Sequence, residues 1–435
     1  MSLELAGVAG IAVLLVLLAL RMPVGIAMML VGTGGIALLA NERAALSTLT
    51  NEAITITTKV ELLVIPLFIL MGNLATASGL SRNLYDAAYA WVGARRGGLA
   101  SATVLGCAGF AALCGSSVAS AVTVGRVALP EMQRHRYDPG LATGTVAAGG
   151  TLGILIPPSS GFVVYAILTE QSIGQLFIAG ILPGLLLTGL FVLTVWLIVA
   201  RNPALGPPGP RLPRAERLAA LAGAGPITLV MVGTIGGIYA GMFTPMEAAA
   251  VGAVLTLLIA LLRGGLTLSA AGQVLVDTAR TSAMIYVILV GAHVFGPFLA
   301  RTGLPGALSD WMIGLGLGPY GTLAIILLLL IILGCFLEGF AMLVLTLPIL
   351  FPTVVALGFD PIWFGVIMVI VLEMGLITPP VGVNVFVVKS IARDVPLGQM
   401  FRGVLPFWAA MMVCTLLLII FPQIATFLPQ TMFGR

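Results

Sequence analysis

The chain has 435 residues, 60% of them apolar and only 8% charged, with a formal net charge of +4. A soluble domain carries about 25% charged residues. The composition therefore excludes a water-soluble enzyme or a nucleic-acid-binding module and points to a polytopic membrane protein lying in a lipid bilayer.

Apolar stretches of spanning length begin at 5–20 and 24–40, where a span needs roughly 20 predominantly apolar residues. The first has no basic n-region and no small-residue cleavage pattern, so it is expected to stay as a helix. A more polar segment, 82–95, carries Asp86. The stretch 105–125 is apolar on both sides of Cys114, Gly115, Ser116 and Ser117. Neither arm is expected to cross, which makes it a re-entrant hairpin with its tip at 115–117. Next, an apolar segment is interrupted by Pro157-Pro158, and a further span follows at 176–200.

The stretch 201–217 contains Arg201, Arg211, Arg214 and Arg217 with five prolines between them. It is the evident linker, and the positive-inside rule makes it cytoplasmic. Few basic residues flank the two ends of the chain (Arg402 and Arg435 are the last), so both termini are expected on the outer face. Spans follow at 218–240, 248–262 and 283–300, then a segment at 304–315 carrying Asp310. A second hairpin, 323–347, breaks around Leu337, Glu338 and Gly339. A second apolar segment breaks at Pro379-Pro380, and 407–428 is the final span.

The two halves repeat each other. Pro23 returns as Pro245, Pro130 as Pro352, Asp138-Pro139 as Asp360-Pro361, Gly153 as Gly375, and Pro157-Pro158 as Pro379-Pro380, all at an offset of 222. Prolines and glycines fix backbone geometry, so their coincidence is not explained by composition. Asp86/Asp310 and Gly79/Gly303 match at 224, and Pro183/Pro406 at 223. With both termini outside and the linker inside, each half crosses an odd number of times, which is the arithmetic of an inverted-topology repeat. The expected fold is an all-α polytopic membrane protein of two inverted-topology repeats with re-entrant hairpins and broken helices. The first repeat is 1–200, with a hairpin at about 99–125 and a broken helix at about 140–170. The second is 218–435, with a hairpin at about 320–357 and a broken helix at about 361–392.

Two successive prolines remove two N–H donors and push the preceding residue out of the helical region. Apolar flanks put these breaks at membrane depth, where exposed backbone survives only if it lines a cavity or holds an ion. Freed carbonyls, with hydroxyls from Ser116, Ser117, Thr151 and Thr378, offer hard oxygen ligands to a small alkali cation. Half-helix N-termini after each break offer N–H donors to an anion. Cation and anionic substrate can share one site with almost no full charge from the protein.

Two acids lie close by. Glu373, six residues before Pro379, stands between a direct functional role and a structural one. Glu338 at the second tip either caps exposed N–H groups, pairs with an arginine, or binds an ion. Arg126 and Arg280 are expected at helix ends. The four cysteines read as small hydrophobes, and the two histidines are too few for a metal site. His293 is read as a satisfied interior side chain, with a proton relay as the alternative.

Residues 149–159 and 373–384, with the tips Cys114–Ser117 and Glu338-Gly339, resemble the large membrane subunit of tripartite ATP-independent periplasmic (TRAP) transporters, the DctM type. The resemblance covers essentially the whole chain. It implies sodium-driven import of an organic acid (a C4-dicarboxylate, 2-oxo acid or sugar acid) across the bacterial inner membrane by an elevator movement, with Na+ as coupling ion and no other cofactor. It implies two partners: a small membrane subunit of the DctQ type and a periplasmic binding protein of the DctP type. It also implies one sodium site at Ser116, Ser117, Val118, Gly149, Leu152, Gly153 and Ile154. A second would use Gly339, Gly375, Thr378 and Pro379. Ser159, Ser160, Asn384 and Thr151 are the implied substrate contacts. The mobile part would be 99–175 and 320–400, and the scaffold 1–60, 176–262 and 401–428.

The alternative within transport is a stand-alone divalent-anion/sodium symporter that needs no binding protein. A channel would need a continuous pore, which closed midplane breaks suit poorly. A membrane enzyme would need a nucleophile set, metal cluster or nucleotide motif, and none is found.

Overall fold

The computed structural model describes residues 2–433 and contains twenty α-helices. Arg435, one of the arginines used for topology above, lies outside the described residues. The first half runs α1 (Leu3–Ala19), α2 (Val24–Leu39), α3 (Glu42–Thr58), α4 (Val64–Ala77), α5 (Leu80–Val92), α6 (Gly98–Cys114), α7 (Ser117–Arg134), α8 (Pro139–Leu155), α9 (Ser160–Thr169) and α10 (Ile173–Arg201). The second runs α11 (Arg214–Tyr239), α12 (Pro245–Leu262), α13 (Leu268–Thr302), α14 (Leu304–Gly314), α15 (Gly318–Gly334), α16 (Gly339–Ala356), α17 (Pro361–Gly375), α18 (Val383–Ile391), α19 (Leu397–Ile420) and α20 (Gln423–Phe433). Among the described residues seven helical segments are long and apolar enough to cross a membrane, and the α8/α9 pair, bent by 42° at its break, makes an eighth. The chain is an all-α polytopic membrane protein.

The repeated residues turn out to be helix punctuation. Asp138 and Asp360 are N-caps, accepting from Leu141 N (2.9 Å) and Trp363 N (2.8 Å), each with proline at the first helical position. Aspartate satisfies a free N–H there, and proline loses nothing because its missing donor would have been an orphan. Gly79 and Gly303 both adopt left-handed backbone (φ 73° and 68°) immediately before α5 and α14. Helices α7 and α16 begin at Ser117 and Gly339 and end at Arg134 and Ala356, in register at 222 at both ends.

Several boundaries differ from expectation, each for a local reason. The hairpin arms are 17 or 18 residues long; neither arm of the first is a candidate span, as expected, whereas α16 of the second is both long and apolar enough to cross. Helix α7 passes through Pro130 to Arg134, which leaves Arg126 in mid-helix and not at an end. Arg280 likewise lies inside α13, which starts at Leu268. The 407–428 stretch is two helices, because Pro422 forces Phe421 (φ −123°, ψ 72°) out of the helical region. The linker is confined to 202–213, since Arg214 already opens α11. The segment Val60–Ala77, formed by a 3-10 turn and α4, is a spanning segment absent from the sequence reading.

Hydrogen bonds order these elements along one axis. The linker sits against the start of α8 and the base of the first hairpin, through Asp138 N to Leu205 O (3.0 Å), Gly97 N to Gly206 O (2.8 Å) and Gly209 N to Gly93 O (2.9 Å). The 29-residue α10 leads from this linker end to the opposite, far end. There the Tyr165 hydroxyl of α9 donates to Pro361 O (2.7 Å), at the start of α17. Helices α8 and α17 thus enter the protein from opposite ends. Both are sheathed by other helices: Gly140–Leu155 and Ile362–Gly375 are buried throughout.

Candidate functional site

Each hairpin turns where the chain leaves helical backbone. Gly115 closes α6 in left-handed conformation (φ 60°), and Ser116 caps α7 by accepting from Ala119 N (3.4 Å). In the second half Glu338 takes the equivalent place and accepts from Ala341 N (3.2 Å), so capping is the role the geometry gives its carboxylate. The helix breaks follow the prolines. Ile156–Ser159 separates α8 from α9, and residues 376–382 separate α17 from α18. Pro157 and Pro158 cannot donate, so the carbonyls of Gly153 and Ile154 lose the donors an unbroken helix would supply.

Close approach brings the breaks to the tips. A Cβ on Gly153 would come within 2.7 Å of the Ser116 carbonyl carbon, and one on Gly150 within 3.0 Å of Ser117 O. These contacts are tighter than side chains tolerate, so only glycine lets α8 lie directly on the first tip. In the second half a Cβ on Gly375 would come within 2.6 Å of Gly334 Cα.

The two halves meet at one point. The Ser117 hydroxyl donates to Glu373 Oε1 at 2.6 Å, joining the first tip to the second broken helix across 256 residues of chain. Glu373 is 1% exposed, and its Oε2 has no partner. Beside them lies a cavity of about 70 Å³, walled by Ser116, Ser117 and Val118 from the first tip, Ile154 from the first broken helix, Glu338 and Gly339 from the second tip, and Leu376 next to the second break. A cavity this size accommodates an ion or one or two waters.

Other candidates lie around this centre. Gly149 faces Cys107 of α6, and the Leu152 carbonyl accepts from Ile156 N (3.0 Å), so both sit off the cavity. The Thr151 and Thr378 hydroxyls donate to the carbonyls of Ala148 (2.6 Å) and Met374 (2.5 Å). Pro379 is exposed. Ser159 caps α9 by accepting from Phe162 N (3.1 Å), and the Ser160 hydroxyl donates to Gly115 O (2.6 Å), clasping the first tip. Asn384 is fully buried with both side-chain polar atoms unpartnered, a costly state that calls for a partner. His293 Nδ1 lies 2.9 Å from Leu289 O, in keeping with a satisfied interior histidine.

Two residues escaped the sequence reading. Ser120, buried and unpartnered, lies where a Cβ on Gly153 would come within 2.7 Å of its Oγ. Its signal was its place four residues after Ser116, on the same helix face. Gly334 had no signal beyond being small. A cavity of about 620 Å³ lies apart from the breaks at the far end, between Lys59–Leu62, the end of α9 and the starts of α10 and α12. Val64 borders both it and the small cavity over the first tip.

The family model described as "Tripartite ATP-independent periplasmic transporter, DctM component" matches residues 11–424. The Pseudomonas aeruginosa protein named C4-dicarboxylate TRAP transporter large permease protein DctM is 44% identical over 370 residues, covering 85% of this chain and 86% of that protein. The Oleidesulfovibrio alaskensis isethionate TRAP transporter permease protein DctMQ is 38% identical, over 84% of this chain and 58% of its own length. Among solved structures, the YdaH transporter of Alcanivorax borkumensis superposes with a TM-score of 0.59 at 17% identity, covering 91% of this chain and 90% of that one, which is a likeness of fold alone.

Proposed function

The chain belongs to the DctM component family of TRAP transporters, and from that premise we propose that it is the large membrane subunit of a sodium-coupled importer of organic acids. It is a multi-pass membrane transport protein and not an enzyme. The proposed setting is the bacterial inner membrane with the linker in the cytoplasm, and the proposed substrate is a C4-dicarboxylate, the class named for the 44%-identical relative. A relative named for isethionate marks the wider class as small organic anions. The proposed partners are a DctQ-type small subunit and a DctP-type periplasmic binding protein. The 620 Å³ cavity at the end away from the linker has the size to receive such an acid from the latter.

The observation that carries the reading is the convergence of both hairpin tips and the Ile154 and Leu376 flanks of both breaks on one small cavity. It supports Na+ held by tip and break oxygens, with Gly153 and Ile154 carbonyls and Ser116 and Ser117 as the first-half ligands. Gly339, Gly375 and Thr378 serve the second half, and Asn384 reads the substrate. The opposed directions of α8 and α17 support an inverted repeat, and the sheathing of both supports a hairpin-and-break unit moving as a body against the scaffold.

The test is uptake of labelled succinate into liposomes holding this chain and its small subunit, with the binding protein outside. Uptake is expected only with the binding protein and an inward sodium gradient, and Asn384→Ala should lower it at least tenfold. Uptake by the chain without its binding protein would turn the reading to a stand-alone symporter. Equal uptake in potassium would remove sodium from it.

A further inference from the structure

A cleft of about 360 Å³ lies between α5 and α7, toward the linker end and away from the ion cavity. Arg82, Tyr85 and Tyr89 line one wall, and Arg126, Glu131 and Arg134 the other. Its ion pairs both stay within one helix: Arg82 with Asp86 at 3.9 Å, and Arg134 with Glu131 at 2.9 Å. Among the described residues no ion pair crosses the cleft, and Arg126 has neither an ion pair nor a side-chain hydrogen bond. Three guanidinium groups against two carboxylates leave the cleft with one net positive charge. Tyr85 and Tyr89 stack (6.3 Å, 13°) as its aromatic side.

What fits is a group presenting several anionic oxygens to arginines on both walls at once. A guanidinium fork matches phosphate in two-point geometry, and basic pockets between membrane helices on the cytoplasmic side suit anionic headgroups. Trp91, on the same helix and half-exposed, is a side chain enriched where headgroups lie. We propose that this cleft binds the phosphate of an anionic phospholipid, with Arg126 as its principal contact and Arg82 and Arg134 closing on it. The lipid then ties α5 to the linker-end half of α7, the helix whose other end carries Ser117. In the transport reading, on which this consequence rests, the lipid holds α5 to the base of a hairpin that must move.

Binding can be read without transport, so a failure of sodium-driven uptake and a failure of this proposal are separate results. The delipidated protein in detergent is titrated with phosphatidylglycerol, phosphatidylcholine or inorganic phosphate, and adducts are followed by native mass spectrometry alongside thermal unfolding. Phosphatidylglycerol is expected to bind and raise the midpoint, and the other two to do neither. Arg126→Gln should weaken it about fivefold. Arg126→Lys should fall between, and Arg402→Gln, which removes a linker-end arginine outside the cleft, should change nothing. If Arg126→Gln does not fold, Arg82→Gln and Arg134→Gln carry the same expectation. Equal binding by wild type and the cleft variants overturns the proposal, as does equal protection by inorganic phosphate.

Discussion

The two double-proline breaks share a motif and differ in almost everything around it. At the first, Pro157, Pro158 and Ser159 are buried, the gap between helices is short, and Ser160 clasps the carbonyl of the hairpin tip at 2.6 Å. At the second, Pro379, Pro380 and Val381 are exposed, the gap runs over 376–382, and among the described residues no side-chain hydrogen bond ties it to the second tip. Asn384 N to Leu376 O (3.0 Å) closes that gap from within, while the Asn384 side chain stays unpartnered. One break is locked to its hairpin and the other is held mainly by itself. Regions with few buried contacts open locally at the lowest cost, so the second break is the one expected to open first.

The comparison can be broken at the glycines, where the largest effect is expected. Gly153→Ala and Gly375→Ala each push a methyl group against backbone that has little room to yield, and overpacking of this kind costs about 1–3 kcal/mol. Thermal unfolding in detergent should show both losses. If Gly375→Ala cost nothing, the second broken helix would be free of its hairpin altogether, and the asymmetry would extend beyond the break itself.

An effect of similar size is expected at the contact between the halves. Ser117→Ala leaves a buried carboxyl group without its hydrogen-bond donor, at a cost of about 1–3 kcal/mol. Glu373→Gln keeps an oxygen that can accept from Ser117 and should cost less in the same unfolding assay. A loss from Glu373→Gln with none from Ser117→Ala would mean that the carboxyl group itself, and not the hydrogen bond, is what the site requires. The smallest effect is local: Ser160→Ala should cost about 1 kcal/mol and speed amide hydrogen exchange at 159–161 toward the rate at 381–384. Rates already equal in the wild type would erase the distinction between a locked and a self-held break.

Much of the fold was legible because its signals are local. Asp-Pro pairs start helices, double prolines stop them, and left-handed glycines precede α5 and α14, so the duplication shows in the chain before any contact is known. The candidate site was legible only to the level of segments. That Ser117 meets Glu373, that Gly153 rests on Ser116 while Gly149 turns to Cys107, and that Ser120 belongs to the same cluster are facts of helix packing between distant parts of the chain. Carbonyl oxygens, moreover, carry no residue identity for a sequence to display.

By itself, then, the sequence determined where helices begin, break and repeat, because capping and proline chemistry act within a few residues. Only the tertiary structure decided that one Pro-Pro break is buried and clasped while its copy is exposed, and that a single cavity joins two tips and two breaks. Burial and partnership depend on which distant helices come to lie alongside, and identical local motifs acquire different environments when the two halves pack against each other.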